Sequence, residues 1–314
     1  MPSLRRAPVP TLVVGESLVD VVVGADGSRS EHVGGSPLNV AVGLARLDHR
    51  VSLATCFGRD ARGAMIGNHL ADAEVDVVPG SDAVEDTSVA TATLDPAGAA
   101  AYDFDIRWRM PPLPRVTGHL HTGSIGALLG RGGVDVLAAM SGAHRTTTVS
   151  YDPNVRPGLL PDREIALAEI ERRVAVSDVV KASDEDLEWL AGGPLDDDDI
   201  ADRLRAWRAL GPTLAVATLG AKGAIAILPS GRRVDLPGRE VVVVDTVGAG
   251  DSFMSGLLSG LLDAGLLGGP DARRRLRKAH GALVVPAVQR GIDASALTVQ
   301  RAGAQPPTRA DLAR

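Results

Sequence analysis

One cysteine, Cys56, is all that the 314-residue chain contains, so no disulfide can form within it. Its neighbours Leu53, Ala54 and Phe57 are apolar, which marks a buried structural thiol in a reducing compartment rather than a nucleophile. Positive charge is not in excess either: the formal net charge is −6, and no basic stripe of the kind that binds DNA or RNA is present. No stretch reaches about 18 uncharged apolar residues, the length that reads as a membrane span. The N-terminal segment carries Arg5 and Arg6 but runs directly into Thr11-Leu-Val-Val14, too short an apolar run for a secretion signal. The expectation is a cytoplasmic protein with neither a nucleic-acid nor a membrane partner. Internal repeats and low-complexity linkers are missing too, so the expected organisation is one α/β domain over residues 1–314. Two nucleotide signatures are also absent. Nothing matches Gly-x-x-x-x-Gly-Lys-Ser/Thr, and Gly248-Ala-Gly250 lacks the third glycine of a dinucleotide fingerprint because Phe253 stands in its place. Both P-loop ATPases and nicotinamide dehydrogenases lose weight.

What is present is an alternation of short Val/Ile/Leu runs with longer helical patterns. The runs Thr11–Gly15, Val51–Ala54, Thr146–Asp152, Val179–Lys181, Leu214–Thr218, Ala224–Leu228 and Val241–Asp245 are bounded by Gly, Pro or Asp and read as buried strands. Between them, Pro37–Leu47, Gly63–Asp72, Asp162–Val176, Asp197–Leu210 and Ala249–Ala264 read as helices, the fourth started by the acidic run Asp196–Asp199 at its dipole-positive end. Strand and helix in alternation predict a doubly wound, mainly parallel sheet flanked by helices. Leu18–Val33 and Ser88–Ile106 break the rhythm. Each alternates apolar with small or polar residues around a turn, at Ala25-Asp-Gly27 and Asp95-Pro-Ala-Gly98, and each predicts an antiparallel hairpin. Projecting from the sheet as insertions at about 17–34 and 88–107, they are either ordinary edge hairpins or a small β lid over a cleft.

The chemistry concentrates at Val241–Ser255, where an apolar run ends at Asp245 and passes through Thr246-Val-Gly-Ala-Gly250 into a helix beginning near Asp251. The amides of Gly248, Ala249 and Gly250 at a helix N-terminus would favour a phosphate or a developing oxyanion. Asp251 beside them could accept a proton, the pairing needed to move a phosphoryl group onto an alcohol. Read locally, Asp251 is equally a helix cap and the glycines a tight turn.

This segment resembles the C-terminal signature of the ribokinase-like, or PfkB, carbohydrate kinases, and the resemblance runs nearly end to end. Gly15-Glu-Ser-Leu-Val-Asp20, Gly34-Gly-Ser-Pro-Leu-Asn39, Gly58-Arg-Asp60 and Gly63 are similar to the family's N-terminal pattern. The resemblance implies that Asp20, Gly34, Gly35 and Asn39 hold the sugar hydroxyls; taken alone, Asp20 reads as a turn residue and Asn39 as a helix-surface one. Asp152-Pro-Asn-Val-Arg-Pro157 is similar to the corresponding stretch of fructokinases and 2-keto-3-deoxygluconate kinases. It puts Arg156 on substrate or phosphate oxygens, against the alternative of a solvated loop arginine. Lys181-Ala-Ser-Asp-Glu-Asp-Leu187 matches a segment the family writes with Asn and Glu, where this chain has Ser183 and Asp186. Thr218-Leu-Gly-Ala-Lys-Gly223 resembles the nucleotide loop, and Ala294–Ala304 the last helix and adenine-side turn.

The activity so implied is transfer of the γ-phosphoryl group of ATP to a sugar hydroxyl, with Asp251 as base and Gly248, Ala249 and Gly250 as the anion cradle. Fructose is the first choice of acceptor and 2-keto-3-deoxygluconate the second. Ser183, Thr218, Gly220, Gly223, Gly248, Gly250, Gly303 and Ala304 would bind ATP, Asp186 would influence Mg2+ through the phosphates, and a K+ ion beside Asp245 is allowed. A homodimer through the lid hairpins follows by the same resemblance. The competing class is a nucleotide- or sugar-binding regulator of the same fold without turnover.

Overall fold

The computed structural model describes residues 9–24, 26–94 and 100–313. In chain order the strands are β1 (Thr11–Val14), β2 (Leu18–Val23), β3 (Arg29–Gly34), β4 (Val51–Ala54), β5 (Asp76–Val77), β6 (Val89–Leu94), β7 (Ala100–Asp105), β8 (His119–Gly123), β9 (Thr148–Asp152), β10 (Val179–Ser183), β11 (Leu214–Thr218), β12 (Gly223–Ile227) and β13 (Arg233–Pro237). The helices are α1 (Ser36–Arg46), α2 (Ala61–Asp72), α3 (Ser124–Leu128), α4 (Gly130–His144), α5 (Arg163–Ala175), α6 (Asp184–Ala191), α7 (Asp197–Leu210), α8 (Ala249–Asp263), α9 (Pro270–Arg277), α10 (Gly281–Thr298) and α11 (Arg309–Leu312).

Nine strands form the main sheet in the order β13-β12-β11-β10-β9-β8-β1-β4-β5. From β11 to β5 every pairing is parallel, and β12 and β13 extend that sheet antiparallel at one edge. The central strands are buried on both faces, as β1 and β9 are along their whole length, which is why they read as continuous apolar runs. Two apolar cores lie on the two faces of this sheet. One is built around α1, α8 and α10, with Leu38, Leu44, Met254, Leu257 and Val288, and the other around Met140, Ile170, Leu204 and Trp207 from α4, α5 and α7. The chain leaves β1 for β4 and β5 on one side and returns to β8 on the other. The strand order therefore reverses between β1 and β8, and ligands bind doubly wound sheets outside the carboxyl ends of the strands at such a reversal.

The second sheet has the order β3-β2-β6-β7. Its two hairpins are antiparallel as the alternation predicts, and they join through a parallel β2–β6 pair that the alternation does not foretell. In the first turn Asp26 Oδ1 accepts from the Ser28 amide at 2.9 Å and Gly27 sits at φ 79. The predicted turn at Asp95–Gly98 lies outside the described residues. Helix α7 begins as its acidic run foretells: Asp196 accepts from the amides of Asp198 and Asp199, and Asp199 answers with a bond from the Asp196 amide.

One expected strand is not a strand. Val241–Asp245 is an exposed segment, with Val242, Val243 and Val244 at 81%, 56% and 62% exposure. The edge of the sheet is already taken by β12 and β13, so this valine run has no partner strand. The amides of Val244 and Asp245 bond instead to the Val299 carbonyl after α10, at 2.8 and 3.2 Å. Conversely β8, with the sequence His-Leu-His-Thr-Gly, is a central strand that its polar composition conceals. His119 and His121 lie within hydrogen-bond distance of Thr148 and Ser150 on β9, and burial holds both rings near a pKa of about 3, neutral at physiological pH.

Candidate active site

Helix α8 starts at Gly248, whose φ of 75 turns the chain into it, and Asp251 lies on its first turn. No side chain caps this helix, so the capping role open to Asp251 is not the one it takes. Its carboxylate reaches across to α1. Ser36 Oγ donates to Oδ1 at 2.6 Å and Asn39 Nδ2 to Oδ2 at 2.8 Å. Asn39 is thus no free helix-surface residue but a hydrogen-bond partner of Asp251. Of the three cradle amides, that of Ala249 closes a turn on the Thr246 carbonyl at 3.2 Å; among the described residues Gly248 and Gly250 N–H have no acceptor.

Asp20 faces the same space from β2. A Cβ on Gly34 would stand 2.1 Å from Asp20 Oδ2, so the glycine makes room for that carboxylate. Gly35, at φ 110, permits a second close approach: a side chain there would meet the Glu16 carbonyl at 2.7 Å. Burial raises the Asp20 pKa, with Asp251 adding to it and His32 and Arg156 opposing. Arg156 is exposed, and its guanidinium bonds Asn154 Oδ1 at 2.8 Å and the Val155 carbonyl at 3.0 Å.

Glu16, at the reversal of strand order, is buried and accepts from the Gly126 amide at 2.6 Å, and burial pushes its pKa up to about 7 against that bond. Ser124 and Asn154, at the carboxyl ends of β8 and β9, both sit at positive φ, 56 and 38, an unfavourable conformation of the kind that clusters at functional sites. Asp152, also at the end of β9, pairs through Oδ2 with Lys181 Nζ at 3.0 Å, and both residues are buried. Asp152 Oδ1 has no hydrogen-bond partner, and burial raises the Asp152 pKa to about 6 although Lys181 opposes it.

The residues expected to hold ATP lie at the ends of β10 and β11, at the start of β12, at the start of α8 and in the turn after α10. Thr218 ends β11, and Gly220 (φ 54) opens into free space. Gly223 answers a different need, because a Cβ there would lie 2.0 Å from the Leu236 carbonyl of β13. Asp245 Oδ1 accepts from the Val247 amide at 3.0 Å and Oδ2 from that of Gly303 at 2.8 Å, and these bonds hold its pKa below the usual carboxylate range. Ala304 lies against Gly248, so the turn after α10 and the start of α8 are one packed unit. Ser183 and Asp186 form a reciprocal cap on α6, and Asp186 Oδ1 also accepts from the Val155 amide at 2.7 Å. Both Asp186 oxygens are therefore engaged by backbone, and its charge acts on Asp152 and Lys181.

Ser36, Asp152, Glu16 and Lys181 lie within the segments that resemble the family, yet sequence reasoning gives them no role. A lysine inside the apolar run Val179-Val-Lys-Ala was the available signal, since a fully buried lysine is nearly always paired.

The sequence pattern of the pfkB family of carbohydrate kinases matches residues 12–311. The chain is 33% identical over 296 residues to a fructokinase of Rhizobium leguminosarum bv. trifolii, covering 86% of this chain and 89% of that one. Its structure is similar to that of a doubly substituted fructokinase from Vibrio cholerae O395 with fructose, ADP and potassium ion bound, with TM-score 0.78, 27% identity and coverage of 98% and 99%. It is also similar to aminoimidazole riboside kinase of Salmonella enterica in complex with aminoimidazole riboside and an ATP analogue, with TM-score 0.79, 25% identity and coverage of 97% of this chain and 98% of that one. On the match over nearly its whole length, the chain belongs to the pfkB family of carbohydrate kinases.

Proposed function

We propose that this kinase transfers the γ-phosphoryl group of ATP to a hydroxyl of fructose, with Asp251 as the general base. The observation that carries the reading is the meeting of Asp251, held by Ser36 and Asn39, with the free amides of Gly248 and Gly250 at the start of α8. Asp251 accepts the hydroxyl proton, the sugar oxygen bonds to the γ-phosphorus, and the bond from that phosphorus to ADP breaks. The transition state is loose, so holding the reactants in line matters more than base strength. Asp20 and Asn39 bind hydroxyls, Gly34 and Gly35 let the ring approach, and Arg156 meets sugar or phosphate oxygens. ATP lies along Ser183, Thr218, Gly220 and the Gly303-Ala304 turn, with the exposed valines 242–244 offering the base an apolar surface. Gly223 serves this groove by keeping β12 and β13 together.

Magnesium is the proposed divalent ion. Among the described residues no group of three or more His, Cys, Asp or Glu side chains could hold a metal alone, which fits an ion carried mainly by the phosphates. The buried, unpartnered Asp152 Oδ1 suits its hydration shell, with Asp186 contributing charge, and when bound the ion would neutralise phosphate. A K+ ion is proposed beside Asp245, whose depressed pKa keeps it anionic. The lid, residues 17–34 and 88–107, offers the edge strands β3 and β7 to a second copy. No helix among the described residues is long and apolar enough to cross a membrane, and a cytoplasmic site of action is proposed.

The test is ATP consumption across a panel of sugars, with Asp251→Asn as the control. Fructose should give the highest kcat/KM, and the substitution should lower kcat by roughly 10²–10⁴. ADP release that survives Asp251→Asn refutes the base, and no release with any sugar favours a binding protein without turnover.

A further inference from the structure

Among the described residues Lys181 is the one buried cation beside the start of α8, and nothing in the sugar- and ATP-binding assignments above uses it. It sits in the middle of β10 with 3% of its surface exposed. Among the described residues one of its three N–H donors is accounted for, by Asp152 Oδ2 at 3.0 Å. Its ammonium lies 3.1 Å from the point where a Cβ on Gly250 would stand, which puts it against the first turn of α8 where the unpartnered Gly250 amide also lies. Asp186 and Asp251 act on it electrostatically as well. The local balance is thus three carboxylates around one ammonium, in a place closed to water.

Structural need alone accounts poorly for this arrangement. A buried ion pair is often no more stabilising than apolar residues of the same volume, and valines precede Lys181 in the same strand. The glycine at 250 has a matching reason, since any side chain there would press on the ammonium or push it away from the amides. On these grounds, and resting on the kinase reading above, we propose that Lys181 is a catalytic residue whose ammonium contacts the phosphoryl group in transfer. Asp152 is its positioning partner and keeps it ionised and aimed while no phosphate is present. In the reaction no bond to Lys181 forms or breaks. The ammonium stays protonated and takes the equatorial phosphoryl oxygens as a second partner, adding to the amides a full charge in a low-dielectric site.

The experiment compares wild type, Lys181→Met and the double variant Lys181→Met/Asp152→Asn for kcat, KM for ATP and for sugar, thermal midpoint, and affinity for ADP with aluminium fluoride and sugar, a mimic of phosphoryl in flight. The double variant removes the Asp152 charge that Lys181→Met alone would leave without its ion-pair partner, so it separates loss of contact from loss of fold. Both variants should lose about 10²-fold in kcat, as for removal of one oxyanion donor, and the same factor in affinity for the mimic, while KM for ATP changes by less than about threefold. Recovery of kcat in the double variant to within about threefold of wild type would mean that Lys181 merely neutralises Asp152, and would overturn the proposal. So would unchanged affinity for the mimic in a folded Lys181→Met protein. A wild type that turns over no sugar removes the kinase reading and this inference with it, whereas an active wild type with a dead Asp251→Asn and an unimpaired Lys181→Met removes this inference alone.

Discussion

Replacing Gly34 by alanine should damage sugar recognition while leaving the fold intact. The added Cβ would stand 2.1 Å from Asp20 Oδ2, 3.1 Å from its Cγ and 3.3 Å from Leu18 Cδ1. Gly34 is not in the left-handed region, so alanine carries no backbone strain there, and the main obstacle is the end of a flexible side chain. The carboxylate swings away by more than about 1 Å, and a misplacement of that size near the chemistry can cost about 10²-fold. The expected outcome is a fall of about 10²-fold in kcat/KM for sugar, carried mostly by KM, with KM for ATP unchanged and the thermal midpoint within a few degrees of wild type. Steady-state kinetics with each substrate varied in turn, beside a thermal melt, reads all of these. A double-mutant cycle with Asp20→Ala adds the decisive arm. If Gly34→Ala acts by moving Asp20, it should do almost nothing once that carboxylate is gone, so the two losses should be far from additive. Independent, additive losses, or a sugar KM within twofold of wild type in the single variant, would refute the assignment of Asp20 to the sugar and of Gly34 to making room for it.

Gly248→Ala should act on the nucleotide instead: the residue sits at φ 75, and a Cβ would meet Ala304 Cβ at 2.7 Å. Left-handed backbone costs alanine about 1–2 kcal/mol and the contact pushes the 303–304 turn outward, so KM for ATP should rise about tenfold with sugar KM little changed. Adding Ala304→Gly should recover most of the loss, and an unaltered KM for ATP in Gly248→Ala would contradict the placement. Glu16→Gln tests the carboxyl at the strand reversal through pH. Burial raises its folded pKa to about 7 from the ordinary 4.5, so the folded protein keeps a proton that the unfolded chain releases. Wild-type stability from this group is therefore fully present below pH 4.5 and falls as pH rises to about 7, by about 3 kcal/mol in all. Glutamine cannot ionise, so the variant's melting temperature should gain on wild type across that window; parallel curves would show that Glu16 does not titrate there.

The parts of this molecule that sequence discloses are those whose cause is local. The acidic cap of α7, the helix after Gly248, the two hairpins and the first hairpin's turn at Asp26-Gly27 all follow from neighbours within a few positions. The valine run at 241–245 misleads because β-branched residues mark a strand only where a partner edge is free, and that edge belongs to β13. Strand β8 hides for the opposite reason: its histidines are tolerable in the centre of a sheet only because Thr148 and Ser150 lie opposite them. Asp251 was legible as a candidate, but its two partners lie 215 and 212 residues away, and no spacing rule links Ser36 and Asn39 to it. Lys181 is marked in the sequence only by the apolar run around it, and Glu16 declares itself only once its burial is seen, since charge in a core acquires meaning from what surrounds it.

That long reach from α1 to α8 has a consequence for how the protein comes into being. During synthesis the sugar side, from Gly15 to Asn39, leaves the ribosome among the first segments, while Asp251 and the Gly303-Ala304 turn come among the last. Contacts so remote in sequence close late in folding, because the loop between them must first be ordered. A chain cut short before α8 therefore carries Asp20 and Asn39 but lacks both the carboxylate that would act on the sugar and the helix that packs against α1. The two halves of the chemistry are joined where α8 packs against both α1 and α10.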